Sequence, residues 1–270
     1  MNKHLRLLLA SFLVYPSLIW ASFSFNPLGT HALALSYAGS AVAKDIFSAV
    51  NNPAWAPHVA AGIATSFRNY YGLPSLADIA VGTVFKVGQW PLVISAERKG
   101  FNLYAESSLS IGSGYVFDKN ISIGISLPIY ALHIKNYGDA TAVGVKLAIN
   151  YRPFDNLQIA AIGGNLNTPV LGRSHEKIPG FGILAFAYQP RSDFTLIVDV
   201  YKEDLMPFEY RFGVAFKILP TLQLFAGYRE EVNSFSTGLD IEIFAYHLGY
   251  AIELHPQLGV SHTIGLSYAF

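Results

Sequence analysis

The chain has 270 residues, and its 18 basic and 18 acidic side chains cancel, so no net field steers it toward nucleic acid. Only 13% of residues are charged against 52% apolar, and the absence of cysteine excludes disulfides, thiolate metal sites and cysteine nucleophiles. Beyond the first residues there is no unbroken apolar run of the roughly 20 that a membrane-spanning helix needs, so the hydrophobicity points to alternating strands.

The chain opens as a targeting segment. "MNKHLR" is basic, "LLLASFLVYPSLIW" is apolar, and Ala21 is a small residue at a cleavage point. Residues 1–21 are therefore expected to be a cleaved leader for export past an inner membrane. Residues 22–57 follow, rich in small side chains, with helical character expected around Ser40–Val50 and a stop at "NNPAWAP". Pro53 and Pro57 argue against regular helix or strand there. A segment this short cannot bury a core unaided, so it reads as a plug or lead-in to what comes next.

From His58 onward the period is two. In "NISIGISLPIYALHI", Ile121, Ile123, Ile125, Leu127 and Ile129 share one face, opposite Ser122, Gly124, Ser126 and Pro128. "AVGVKLAINYRP" and "FEYRFGVAF" repeat the pattern. Turn formers such as "FDKN", "PFDN" and "QPRSD" punctuate these runs. Fourteen strands result, near 58–70, 75–86, 90–99, 103–117, 121–137, 141–152, 157–166, 178–189, 194–203, 207–218, 222–230, 235–243, 244–255 and 258–270. The joints after strands four, six, eight and ten are tight, whereas the longest, at 167–179, follows an odd strand. An even count with short joints on one side and longer ones on the other matches a single-chain membrane barrel.

The residues opposite the bulky ones decide which face meets lipid. A water-soluble sandwich would carry Lys, Glu, Thr and Asn there; this chain carries mostly Gly, Ala and Ser. Small inward groups suit the limited lumen of a closed barrel, and rings near strand ends such as Tyr70, Trp90, Tyr151 and Tyr268 suit interfacial girdles. The closing row Ile264, Leu266, Tyr268 and Phe270 then faces lipid. The fold class is all-β: a transmembrane antiparallel barrel of about 14 strands spanning 58–270, with a small amino-terminal plug. Its expected place is the outer membrane of a Gram-negative-type bacterium, with outer-membrane lipid as a partner.

Parity turns Asp199, Glu209, Arg211, Arg229, Asp240 and Glu242 inward, with Lys146 and Arg152 on strand six. They fit either a polar constriction or an ion-pair network that satisfies charges the lumen cannot leave alone. His247 also points inward, while His133 and His262 point outward. No histidine pair has metal-site spacing, no nucleophile and base come together, and the glycines of "GSGY" open no helix. Neither an enzyme nor a cofactor is expected.

"GTHALALSYAGSAVAKDIFSAVNNPAWAP" resembles the amino-terminal signature of the long-chain fatty-acid transporter (FadL-like) superfamily, most closely its PorV/PorQ-type branch. The matching places are Gly29, Ala32, Leu33, Ala38, Ala41, Asp45, Ser48, Asn52, Pro53 and Ala54. "EYRFGVAF", "LQLFAGYRE", "FSTGLDI" and "HTIGLSYAF" fit the same branch. The resemblance implies a fourteen-stranded outer-membrane barrel whose hatch motif is Gly29, Asp45, Ser48, Asn52, Pro53 and Ala54. It also implies one of two roles: passage of small hydrophobic compounds past a moving plug with lateral release, or type nine secretion through contacts with secretion-system proteins. Trp55 departs from the pattern, standing where a glycine usually follows, and the outer loops are short.

Overall fold

The computed structural model describes residues 22–172 and 175–270; the expected leader, 1–21, lies outside the described residues. Fourteen spanning strands form the wall. They are β1 (Gly62–Asn69), β2 (Asp78–Val87), β3 (Trp90–Gly100), β4 (Tyr104–Asp118), β5 (Ile121–Ile134), β6 in two pieces (Gly138–Val143 and Lys146–Phe154) and β7 (Leu157–Gly164). The second half is β8 (Phe181–Arg191), β9 (Phe194–Glu203), β10 (Phe208–Leu219), β11 (Leu222–Arg229), β12 (Ser234–Ile243), β13 (Tyr246–His255) and β14 (Gly259–Ala269). Each pairs antiparallel with its sequence neighbours, and β1 pairs with β14 in the register Ile63↔Tyr268 to Asn69↔His262, closing the barrel. Closure pairs the spanning strands around the wall, sparing most of the several kcal/mol that hydrocarbon would impose on each unpaired backbone group.

The joints sort by side. Positions 88–89, 119–120, 155–156, 192–193, 220–221 and 244–245 are two-residue turns at one end. The other end carries the longer connections, above all 165–180 between β7 and β8, which contains a two-residue ladder of Val170–Leu171 against Glu176–Lys177. Short inner turns and longer outer loops orient the barrel, with the 165–180 loop outside.

The side chains sort as the alternation requires. Ile123, Leu147, Phe212 and Leu266 are 42%, 45%, 43% and 47% exposed on the outer wall, whereas Ala148 is 7% exposed and faces the interior. The apolar face is therefore the lipid face. No helix among the described residues is long and apolar enough to cross a membrane; the strands do the crossing.

Three details differ from the sequence expectation. Pro53–His58 is a regular 3-10 turn rather than irregular chain, because Pro53 occupies its first position, where no amide hydrogen is needed; β1 consequently starts at Gly62, not His58. The expected helix around 40–50 is confined to α2 (Ile46–Asn51), preceded by an unexpected single turn, α1 (Thr30–Ala34). The sixth strand is broken at Gly144–Val145, and the first half of β6 pairs only with β5. Beyond Gly164, β7 has ended, so the loop 165–180 fills the wall between β6 and β8. It is tied by Leu166 N to Val145 O at 3.1 Å and Asn167 Nδ2 to Val143 O at 2.8 Å.

Leu147 and Ile243 both face outward, but only Leu147 sits away from the turns. We expect Leu147→Arg to cost about 2–4 kcal/mol and Ile243→Arg, beside an inner turn, about 0–1 kcal/mol. Urea titration of protein refolded into lipid vesicles measures the difference.

Candidate functional site

The interior is occupied by the amino-terminal segment, and the small residues of the wall are where it lies. A Cβ on Gly124 would collide with the backbone of Pro53 and Ala54, and one on Gly227 with the backbone of Leu35 and Ser36. Leu33, Ala38, Ala41, Ala49, Ala54 and Ala56 are wholly buried against this wall. The segment and the barrel thus share one core, with Leu33, Leu35 and Tyr37 clustered with Ile183, Ile197 and Phe225.

Every residue of the hatch motif has an identifiable task. Gly29 has φ +95°, and a side chain there would also press on Phe47 Cβ at 2.9 Å. Asp45 caps α2 by accepting from Ser48 N at 2.8 Å, while Ser48 Oγ accepts from Asp45 N, a reciprocal capping box. Asn52 donates to Ser40 O at 2.8 Å and to Asn150 Oδ1 on β6 at 2.7 Å, and accepts from Ala54 N. Pro53 starts the 3-10 turn, and Ala54 lies buried against Gly124. Trp55, the departure from the pattern, donates its indole hydrogen to Ser40 O at 3.0 Å.

The inward charges grip this segment. Asp199, Arg211 and Arg229 stand directly opposite one another on β9, β10 and β11. Glu209 accepts from Arg211 Nε at 2.6 Å and from Arg229 Nε at 2.7 Å. Asp199 accepts from the backbone amides of Gly39 and Ser40 at 3.2 and 3.1 Å. Three guanidiniums, those of Arg68, Arg211 and Arg229, lie 5.4–5.7 Å from the ring of Tyr37. Burial raises the pKa of the Tyr37 phenol above its ordinary value, so it stays neutral among these cations. Lys146 is buried differently: its Nζ lies 3.4 and 3.5 Å from the carbonyls of Val50 and Asn51 and 5.0 Å from the Phe25 ring, with no carboxylate in salt-bridge range among the described residues.

Asp240 faces His31 of the segment, whose other ring nitrogen lies 3.1 Å from Asp45. Glu242 lines the inner mouth and is exposed there, as is Arg152, because both stand within a few residues of the inner turns, where inward parity opens to water. His247 lies beside Asp240 at 3.3 Å, while outward-facing His133 and His262 bond to Asp139 and Tyr250. Arg68 on β1, Glu97 on β3, Glu106 on β4 and Glu253 on β13 also face inward, and the sequence reading passed over them. The same alternation that placed Asp199 would have found them: Arg68 shares a face with Ala64 and Ser66.

A cavity of about 90 Å³ lies between the segment and the outer half of β3–β6. Phe23, Phe25, Leu28, Val50, Tyr130 and Phe181 supply its apolar lining, and Glu97, Glu106, Lys146 and several serines its polar one. It adjoins the broken part of the wall, for Tyr130 OH donates at 2.8 Å to Asn165 Oδ1, at the start of the 165–180 loop. A second, polar cavity of about 360 Å³ opens at the inner mouth around Lys44, Trp55, Asp155, Gln189 and Lys217.

A closed fourteen-strand wall with a lipid-facing apolar belt and an internally packed amino-terminal segment defines a transmembrane β-barrel with an occupied lumen. Among solved structures the chain is similar to the toluene transporter TodX of P. putida, with 11% identity, a TM-score of 0.70 and 92% of this chain aligned to 99% of that one. The TodX deltaS2 mutant, a monoaromatic hydrocarbon channel, gives 13% identity and a TM-score of 0.68 over 92% and 100% of the two chains. A Pseudomonas aeruginosa FadL homologue gives 10%, 0.65, and 92% and 99%. The sequence matches no family model and no curated protein.

Two outcomes test this geometry. Glu209→Ala leaves Arg211 and Arg229 without their shared partner and is expected to destabilise the folded barrel by about 3–5 kcal/mol in urea titration. His31 is opposed by burial, but Asp45 and Asp240 outweigh it and push its pKa up to about 9 from 6.5. A raised folded-state pKa stabilises fully below 6.5 and is lost as pH climbs through 9, so hydrogen-exchange protection factors across 30–51, corrected for the intrinsic base-catalysed rate, should fall between about pH 6 and about pH 10. His31→Gln should flatten that fall.

Proposed function

We propose that the protein is a plugged outer-membrane barrel that binds or passes small hydrophobic compounds, with residues 22–57 as a movable hatch. The observation that carries this reading is the outer cavity: aromatic hatch residues line it, and it abuts the stretch of wall closed by a loop instead of a strand ladder. Side-chain and loop contacts separate more readily than a continuous ladder, which gives a compound in the cavity a sideways route into the membrane between β6 and β8. At about 90 Å³ the cavity is smaller than the roughly 150 Å³ void that accommodates benzene in a protein core, so the hatch has to move before such a compound fits. Outward displacement of Phe23 and Phe25 is the opening step.

The solved transporters of similar fold are named for toluene, monoaromatic hydrocarbons and FadL, which supports a hydrophobic cargo. Lys146, a cation without a carboxylate, suits a carboxylate-headed compound. The hatch motif resembles the PorV/PorQ branch, and a secretion role would instead appear as a specific partner co-purifying with intact outer membrane. The short outer loops offer little platform for such a partner.

Proteoliposomes holding the protein should take up labelled toluene or oleate faster than empty vesicles; equal uptake overturns the reading. Loss of a charge-assisted contact is worth about 1.5–3 kcal/mol, so Lys146→Met should weaken oleate binding at least about tenfold and leave toluene unchanged. Gly124→Val, which pushes against the hatch backbone, should raise planar-bilayer conductance while the barrel keeps its heat-dependent gel mobility.

A further inference from the structure

Glu97 on β3 and Lys146 on β6 face into the outer cavity from two parts of the wall, and they form no ion pair with each other. Glu97 has little to hold it. It accepts one long hydrogen bond, from Ser108 Oγ on β4 at 3.4 Å. The cations on its side of the lumen are engaged elsewhere. Lys99 Nζ lies over the Tyr70 ring at 5.1 Å, and Arg68 donates to Thr263 Oγ1, Tyr70 OH and Pro27 O.

Lys146 Nζ meets only the carbonyls of Val50 and Asn51, at the end of α2, and the Phe25 ring. All three partners belong to the hatch, whereas Glu97 and Lys146 belong to the wall. Their spacing therefore survives movement of the hatch, and a movement that carries residues 50 and 51 away leaves Lys146 without an acceptor. A carboxylate with one weak donor and an ammonium with no acceptor are both costly away from water. The rings of Tyr130 and Phe181 line the same cavity and offer an apolar bed.

We propose that the compound received here is a small aromatic acid with a hydrogen-bond donor at the far end of its ring. Lys146 takes its carboxylate, Glu97 accepts from its hydroxyl, and the ring lies against Tyr130 and Phe181. The proposal rests on the outer cavity being the cargo site, and it names the class of cargo. A plain hydrocarbon satisfies neither charge, and a plain acid satisfies one. An acid with a second carboxylate at the far end would meet Glu97 as a like charge and be turned away. Glu97 is thus the residue that sets specificity, and Lys146 supplies the anchor.

The test is equilibrium binding to protein purified from outer membranes, with 4-hydroxybenzoate and 4-methylbenzoate as probes. The two acids have nearly the same shape and differ in one donor, and transfer to an apolar site by itself favours the methyl compound. A hydrogen bond to a charged acceptor should instead make 4-hydroxybenzoate bind about tenfold tighter. Glu97→Leu should abolish that preference. Glu97→Gln should keep part of it, since a carboxamide oxygen accepts without charge, and its near-identical shape gives a folded variant to read. Lys146→Met should weaken both acids alike. Equal binding of the two acids by the wild-type protein overturns the proposal, as does failure of either to bind. A preference that survives undiminished in Glu97→Gln overturns it too. Toluene uptake does not involve Glu97, so uptake that persists beside any of these results leaves the hydrophobic-cargo reading standing, and the two failures are distinguishable.

Discussion

The hydrocarbon around the wall accepts no hydrogen bonds, and that constraint sets the rest. Every backbone donor and acceptor at membrane depth needs a partner within the protein, which forces the sheet to close on itself between β1 and β14. A closed ladder fixes which side chains point out, and the solvent outside selects Ile, Leu, Phe and Tyr for that face. What is left for the inside is set by space. In this chain the space is taken by backbone: the glycines of β5 and β11 meet Pro53, Ala54, Leu35 and Ser36 directly.

Packing a segment into a lumen raises a second electrostatic demand. Charged groups withdrawn from water need partners, and the wall provides them in matched sets. Glu209 with Arg211 and Arg229, Asp199 with the amides of Gly39 and Ser40, and the guanidiniums around Tyr37 each pair wall with hatch or wall with wall. These contacts are short, directional and numerous on the β9–β11 side. The β3–β6 side is different, for there the cavity, the broken strand and Lys146, bonded to carbonyls and to no carboxylate among the described residues, occur together. One side of the lumen anchors the segment, and the other carries the features suited to movement.

Much of this was legible in residue order because a barrel wall is a two-state code. Alternation tells inside from outside at every position, so the strand count, the lipid face and the inward direction of Asp199, Glu209, Arg211 and Arg229 followed from parity alone. The common height of Asp199, Arg211 and Arg229 was readable too, since each lies a similar number of residues from an inner turn. Near the strand ends, Glu242 and Arg152 point inward as parity has them, at the inner mouth where the lumen opens to water. The 3-10 turn at Pro53 escaped because proline forbids a continuing helix but favours the first position of a short one.

The sequence by itself determined the architecture, since hydrophobic periodicity and the chemistry of lipid leave few folds open to fourteen alternating runs. Only the tertiary structure decided what the small residues are for. A glycine facing inward has the same letter whether it borders water, a compound or another stretch of chain, and the partner of Gly124 lies some seventy residues away at Pro53. The interruption of β6 at Gly144–Val145 and its closure by Asn165 and Asn167 were decided there too, because a seam in a wall depends on where the neighbouring strand stops. That stopping point is set by packing across the sheet, which no local pattern encodes.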